Sequence, residues 1–380
     1  MNVLGGYNYY KRIKNKYLKD LVTINYTLLD DPASNDTSVF DLIFSRGTYS
    51  LSKDSSKINF QVGYDINVET NKGKRIAEGR REIGDYAVFG SMEYSPNEKT
   101  VIRPGLRYSY NTAYKTPIIP SLNVKYEWTR HLTSRLSWGR GFRAPSLKEL
   151  HFLFVDLNHN ILGNKELKAE SSDNFMLQFN YKRGVKRGVY NFGLSGFYNV
   201  VNNQISLVLR DAGEQLYTYT NIGQFFSQGI NFNSGFRYKT YRTDFGFSWI
   251  GRYNLESEGN PEVDKFSYTP EVIASFGYEV EKWQTTFNLF YKYTGKVLGF
   301  NESEFGEVSQ FEVQAYSMMD VSVIKYFFKK KMNITVGAKN LFDVGNINST
   351  QLVGGVHSGG GSQVPVAWGR TYFTKLVLNF

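Results

Sequence analysis

A period of two runs through most of this 380-residue chain. Between Ser121 and Thr129, Leu122, Val124, Tyr126 and Trp128 share one face, while Ser121, Asn123, Lys125, Glu127 and Thr129 share the other. Ile102, Leu106, Tyr108 and Tyr110 likewise oppose Arg103 and Arg107. Phe175, Leu177, Phe179 and Tyr181 oppose Gln178, Asn180 and Lys182, and Phe287, Leu289, Tyr291 and Tyr293 oppose Asn288 and Lys292. Strict alternation predicts strands, and one wet face beside one apolar face predicts an antiparallel sheet. The links sort themselves by length. Short ones fall near 10–16, 52–56, 95–99, 129–133, 183–188, 239–242, 280–283 and 328–332. Long ones fall near 30–37, 71–83, 111–118, 142–171, 209–215, 254–268, 298–313 and 341–367, with 209–215 the weakest member of that set. Long and short alternate along about seventeen strands, as they do in an up-and-down barrel with short turns at one rim and long loops at the other. A soluble sandwich has no reason to sort its links this way.

Composition moves the barrel into a membrane. Aromatic residues make up 16% of the chain, with 28 Tyr and 29 Phe, and they recur toward strand ends, where a membrane girdle needs them. No stretch approaches the ~20 apolar residues of a spanning helix. The opposite face is charged as well as polar on strand after strand, which suits a water-filled lumen. The absence of cysteine excludes thiol catalysis, cysteine-held metals and disulfides. The net charge of +10 is spread along the chain at alternating positions, so it reads as solvated surface and implies no nucleic-acid partner. The start, Met1 to Tyr7, carries no secretory signal. Since an outer-membrane protein must be exported, the expectation is an upstream start or a fragment. At the other end Tyr372, Leu376, Leu378 and Phe380 share a face, and a final strand ending in Phe380 resembles the signal read by the barrel-assembly machinery.

Four motifs carry a resemblance. Gly141-Phe142-Arg143-Ala144-Pro145 opens a long loop, and Gly163-Asn164-Lys165-Glu166-Leu167-Lys168-Ala169-Glu170 comes about twenty residues on, with Lys165 where a proline is usual. Thr220-Asn221-Ile222-Gly223 and Ala338-Lys339-Asn340-Leu341-Phe342-Asp343 come later. In this order they resemble the TonB-dependent outer-membrane receptors, from about residue 83 to the end and more loosely before it. That resemblance implies an all-β, antiparallel transmembrane barrel of ~22 strands around a plug domain. About seventeen strands would then be a single C-terminal barrel portion, residues 1–380, without the plug, the first strands or the segment that touches the TonB energy-coupling complex. Such a portion alone cannot close, because unpaired backbone groups find no water at bilayer depth, and alone it should transport nothing.

The resemblance also implies a cargo bound outside, between loops and plug: heme first, then a ferric siderophore, then cobalamin, with no resident cofactor. Receptors of the heme-importing subgroup carry a histidine between the first two boxes, and imidazole is a suitable axial ligand for iron. His151 and His159 both lie there, His159 in the more polar setting; a loop histidine more often only donates or accepts a hydrogen bond. His357 faces the same side, and His131 falls in a short turn. Arg143 either positions an anion or pairs with an interior carboxylate and orders the loop, the commoner case for a charge at a barrel rim. Pro145 should end its strand. Glu166 and Glu170 are too few for calcium, so no protein-bound metal is expected. Gly354-Gly355 and Gly359-Gly360-Gly361 lack the Lys-Ser/Thr of a phosphate loop. Without a Gly-x-Ser-x-Gly elbow, a rim enzyme is the remoter alternative; a passive porin explains the sorted loops but not the four boxes. The expected setting is the outer membrane of a Gram-negative bacterium, in contact with lipid and lipopolysaccharide.

Overall fold

The computed structural model describes residues 2–13, 16–31, 36–53, 56–77, 79–155, 160–211, 216–253, 264–302, 308–350 and 363–378. The chain folds into an antiparallel wall taken in sequence order. It runs through β1 (Asn2–Ile13), β2 (Lys16–Asp31), β3 (Asp36–Leu51), β4 (Ile58–Gly73), β5 (Arg81–Asn97), β6 (Thr100–Asn111), β7 (Ile119–Glu127) and β8 (Leu132–Arg143). Inside the next link lie a short helix α1 (Leu147–His151) and a small hairpin of β9 (Leu153–Val155) and β10 (Asn160–Leu162). The wall resumes with β11 (Glu170–Val185), β12 (Gly188–Asp211), β13 (Leu216–Tyr238), β14 (Tyr241–Tyr253), β15 (Phe266–Val280) and β16 (Thr285–Thr294). A second loop hairpin is β17 (Val297–Glu302) with β18 (Val308–Val313). Then come β19 (Tyr316–Phe327), β20 (Met332–Lys339), a loop pair of β21 (Asn346–Asn348) and β22 (Gln363–Pro365), and the last wall strand, β23 (Thr371–Leu378).

Among the described residues the main sheet has 19 strands, of which β9 and β10 belong to the loop, so 17 build the wall. The expected count therefore stands. Among the described residues no ladder joins β1 to β23, so the described wall has two edges. Among the described residues no helix is long and apolar enough to cross a membrane, which says nothing about strands.

Which face meets lipid is decided by exposure. In a sandwich the apolar face would be buried against a second sheet. Here Val88 is 62% exposed, Leu106 55%, Tyr108 57% and Tyr110 61%, and these outward positions line up across β5 and β6. The other face is ionic. Arg107 pairs with Asp65 and Asp85, Arg46 pairs with Asp65, and Arg103 pairs with Glu93. A stretch of wall that shows Leu, Val and Tyr outward and holds these ion pairs inward is built for hydrocarbon outside and water inside.

Near the loop rim the outward face changes character. Trp138 stacks with Phe175, ring centroids 6.4 Å apart, and its indole N–H donates to Asp173, 3.3 Å away. Asp173 in turn pairs with Arg140 at 3.2 Å. An aromatic pair with its polar edge toward an ion pair marks the upper limit of the lipid band. Arg143 and Glu170 lie beyond it, outside the spanning segments.

The link at 209–215, the weakest of the long set, shrinks to 212–215, which lie outside the described residues, because the flanking strands extend as an overhang. Strands β12 and β13 run 24 and 23 residues and stay paired from Gly188–Tyr238 up to Asp211–Leu216. A spanning strand needs ~9–11 residues, so the upper part of this pair stands clear of the membrane. A long loop here takes the form of a hairpin.

Candidate functional site

The loop of residues 144–169 leaves the wall at β8, and Pro145 there is fully buried. Ser146 then caps α1. Its hydroxyl accepts from the Glu149 N–H, and the Glu149 carboxylate accepts back from the Ser146 N–H at 2.7 Å. This reciprocal box lets a helix of only five residues hold, with Leu147 and Leu150 buried beneath it. The Leu147 N–H reaches across to Glu69 of β4, at 3.3 Å.

Arg143 ties the helix to the wall. Its Nη1 donates to both Glu149 oxygens at 2.8 and 2.9 Å, while Nε and Nη2 grip the two oxygens of Glu170 at 2.8 Å each. The guanidinium plane thus closes two forks, a geometry lysine cannot copy. Glu170 also accepts the Ile205 N–H of β12 at 2.6 Å. Burial pushes the Glu170 carboxyl up, but the Arg143 bonds, the Ile205 amide and the Arg143 charge outweigh it and hold the group below the usual carboxylate range. The Glu170 hydrogen bonds, less the opposing desolvation, lift Arg143 above its ordinary value.

The second box completes the fold-over. Gly163 lies against the end of α1, where a Cβ would stand 2.6 Å from the Phe152 nitrogen and 2.7 Å from that of His151, so only glycine fits. Its N–H donates to the Phe152 carbonyl at 2.7 Å. Asn164 donates its side-chain N–H to the Tyr219 carbonyl, and its Oδ1 accepts the Glu166 N–H. Leu167 packs with Leu150 and Ile205 in a buried cluster bordered by Tyr114 and Tyr219. The Tyr114 hydroxyl donates to the Leu167 carbonyl at 3.0 Å. Both phenols are pushed up by burial and then by the Glu149 charge.

The third box meets the second. Asn221 accepts the Lys168 N–H and donates to the carbonyls of Lys168 and Asn203. Asn203 is skipped in the β12–β13 register and takes φ 56°, a left-handed kink that asparagine tolerates. Strand β10 then adds parallel to β13, Ile161 beside Tyr217. On the far side, Ala77 N–H donates to the His151 carbonyl and Leu153 N–H to that of Arg75. The loop is therefore a brace. It ties the 74–80 link after β4 to the β12–β13 overhang, elements that are not neighbours in the wall.

Three of the four boxes converge on this brace; the fourth does not. Asn340 and Asp343, at φ 52° and 60°, form a separate turn in which the Asn340 N–H donates to Asp320 and Asp343 accepts the Arg370 N–H. Of the other singled-out residues, Phe142 faces outward with Trp138, Ala144 starts the loop, and Lys165 and Glu166 are exposed. His131 sits at the short-turn rim, its Nδ1 3.1 Å from the Lys182 carbonyl. His159, His357, the 354–361 glycines and Phe380 lie outside the described residues. His151 Nδ1 is buried and has no hydrogen-bond partner. Burial, then the charges of Arg81 and Lys165, push this imidazole down and favour its neutral form. Among the described residues no group of three or more His, Asp or Glu could hold a metal ion.

Aromatic and cationic groups edge the brace. Phe152 packs on Phe154 and Phe40, Arg75 lies 4.5 Å over the Phe154 ring, and Lys148 lies 4.7 Å over Phe40. Sequence reasoning missed Glu149, Glu69, Tyr114 and Tyr219. Only Glu149 left a signal, the Ser-x-x-Glu spacing of a capping box.

A family profile described as "TonB dependent receptor-like, beta-barrel" matches residues 2–341. The ferrienterobactin receptor of Escherichia coli K12 is 22% identical over 321 residues, which covers 78% of this chain and 42% of that protein. The ferric enterobactin receptor PirA of Pseudomonas aeruginosa is 24% identical over 296 residues, 71% of this chain and 38% of that one. A vitamin B12 transporter, BtuB of Photobacterium profundum, is 22% identical over 276 residues, 72% of this chain and 41% of that one. Among solved structures, a ferric enterobactin receptor of P. aeruginosa superposes with a TM-score of 0.73 at 17% identity, covering all of this chain and 61% of that one. The chain thus spans about two-fifths of the length of the curated relatives it matches.

Proposed function

This chain belongs to the TonB-dependent receptor-like β-barrel family, and from that premise we propose that it is the barrel portion of an outer-membrane receptor importing a ferric siderophore. The observation that carries the proposal is the convergence of three family boxes on one brace at the loop rim, where an external ligand first arrives. Arg143 acts there as a positioning residue, since both of its forks are taken by Glu149 and Glu170. The aromatic and cationic edge of the brace suits a ferric catecholate, which is both aromatic and anionic. The curated relatives named for ferric enterobactin support that choice of cargo. Energy would come from the TonB complex through a plug and N-terminal segment that these residues do not include, and the cargo would be carried unchanged, with no catalysis.

Heme, the first expectation from sequence, takes second place. Its case rests on His151, whose neutral form burial favours but whose Nδ1 is buried, and on His159. The test is a titration of the full-length receptor carrying this chain, following protein fluorescence with a ferric tris-catecholate and the absorption band of added hemin. Quenching that saturates at about micromolar catecholate or below, without a hemin shift, is expected. A hemin shift abolished by His151→Ala or His159→Ala, with no catecholate quenching, would reverse the ranking.

A further inference from the structure

On the lipid-facing side of β2 to β6 lies a cavity of about 1220 Å3, walled by Leu18, Tyr49, Phe60, Val62 and Leu106. A carboxylate stands in it. Tyr9, Asp20, Gly47 and Tyr64 form one cross-strand row, and the alternation of β2 puts Asp20 on the same face as Leu18 and Ile24, which are 43% and 50% exposed. The Tyr64 hydroxyl donates to Asp20 Oδ1 at 3.0 Å. To reach it, the Tyr64 ring lies flat over Gly47, where a Cβ would stand 2.1 Å from the ring. The wall is thus shaped around an Asp20–Tyr64 contact on a surface that should be apolar. Lys19, which also lines the cavity, is out of phase with Asp20 and belongs to the lumen side.

An ionisable side chain facing lipid is costly and calls for a partner. Tyr64 supplies one neutral donor and leaves the negative charge of Asp20 uncompensated. Asp20 lies four residues beyond Lys16, the first residue of β2, so it faces the leaflet at the turn rim. Charge complementarity asks for a cation carried on an apolar body, and tyrosine faces attract ammonium groups. A second copy of the chain fits poorly, because a two-fold contact centred here would bring two Asp20 carboxylates together.

We propose that this groove binds a phospholipid with a primary ammonium headgroup. The ammonium donates to Asp20 between the Tyr9 and Tyr64 rings, and an acyl chain lies along Val62, Gly90 and Leu106. The inference depends on the barrel wall and not on the cargo.

Native mass spectrometry of the detergent-solubilised protein tests it, with phosphatidylethanolamine, phosphatidylcholine and phosphatidylglycerol added at equal concentration. Phosphatidylethanolamine should be retained about five- to tenfold over phosphatidylglycerol, with phosphatidylcholine, which has no N–H donor, between them. Asp20→Asn should bring the three to parity. Tyr64→Phe keeps the ring and removes the hydroxyl, so it should lower the ratio about twofold. Equal retention of the three lipids by the wild type, an unchanged ratio in Asp20→Asn, or a dimer that excludes lipid would each overturn the proposal. If Asp20→Asn does not assemble, an unchanged ratio in Tyr64→Phe overturns it.

Discussion

The two rims of this wall are made by the same strands and built on opposite plans. At the turn rim the described links are short and close on themselves. The β15–β16 link is one 3-10 turn, Glu281–Trp283, closed by Gln284 at φ 46°, and Phe328, Lys329 and Lys330 carry positive φ between β19 and β20. The ion pair there, Lys330 to Glu279 at 2.9 Å, is exposed. At the loop rim a single brace joins Glu69, Arg143, Glu170, Ile205 and Asn221, residues from separate strands, through half-buried charge-assisted bonds. Local turns set the order of strands, and each can fail alone. A brace of distant residues holds as a unit and should fail as one.

Removing Arg143 should separate the rims most sharply. Arg143→Ala leaves Glu149 and Glu170 facing each other without their cation, both side chains less than a fifth exposed. With Arg143 itself partly in solvent, a loss of about 2 kcal/mol in loop stability is expected, read as faster proteolysis within 144–169. Arg143→Lys should recover little of it, since an ammonium cannot close both forks. Gly163→Ala should cost about 1–2 kcal/mol by pushing α1 off the second box, with the same readout. Asn221→Ala, which strands the Asn203 and Lys168 groups, should cost about 1 kcal/mol and loosen the β12–β13 overhang first.

Acid should loosen only the loop rim. The Glu170 carboxyl is held low in the folded brace, so its contribution is complete above the ordinary carboxylate range and is lost as pH falls through its folded value. The His151 imidazole is also pushed down, so the opened loop takes up its proton first, and stability drains as pH falls below about 6.5. The signs agree but the windows differ: His151 should quicken proteolysis within 144–169 between about pH 7 and pH 5, and Glu170 should add to it below about pH 4.5, while cleavage at the turns stays constant. The smallest effect belongs to Lys330→Ala, which removes an exposed pair and should leave proteolysis and thermal unfolding unchanged.

The wall was legible because alternation is a property of neighbours. Leu122 to Trp128 announces a face without knowledge of any other strand, and the sorted link lengths set its two rims apart. The overhang was harder. An extended hairpin beyond the membrane keeps alternating, so β12 and β13 looked like ordinary strands with a doubtful link at 209–215. The hairpins β9–β10 and β17–β18 hid inside links for the opposite reason, being too short for a period to show. The boxes at Arg143 and Glu170 were readable as a resemblance, but not which groups they would grip. Glu69, Tyr114 and Ile205 sit in ordinary strand or loop surroundings, and only the curvature of the wall brings them to the brace.

Amide hydrogen exchange on the wild type and on Arg143→Ala tests the brace most directly. In the wild type, residues 74–77, 147–153, 163–169 and 216–222 should open with one common free energy, distinct from the turns at 281–284 and 328–331. Arg143→Ala should accelerate exchange in all four segments together and leave both turns as they were. Acceleration confined to the residues beside position 143, with 74–77 and 216–222 unchanged, would contradict the claim that the three boxes form one mechanical unit.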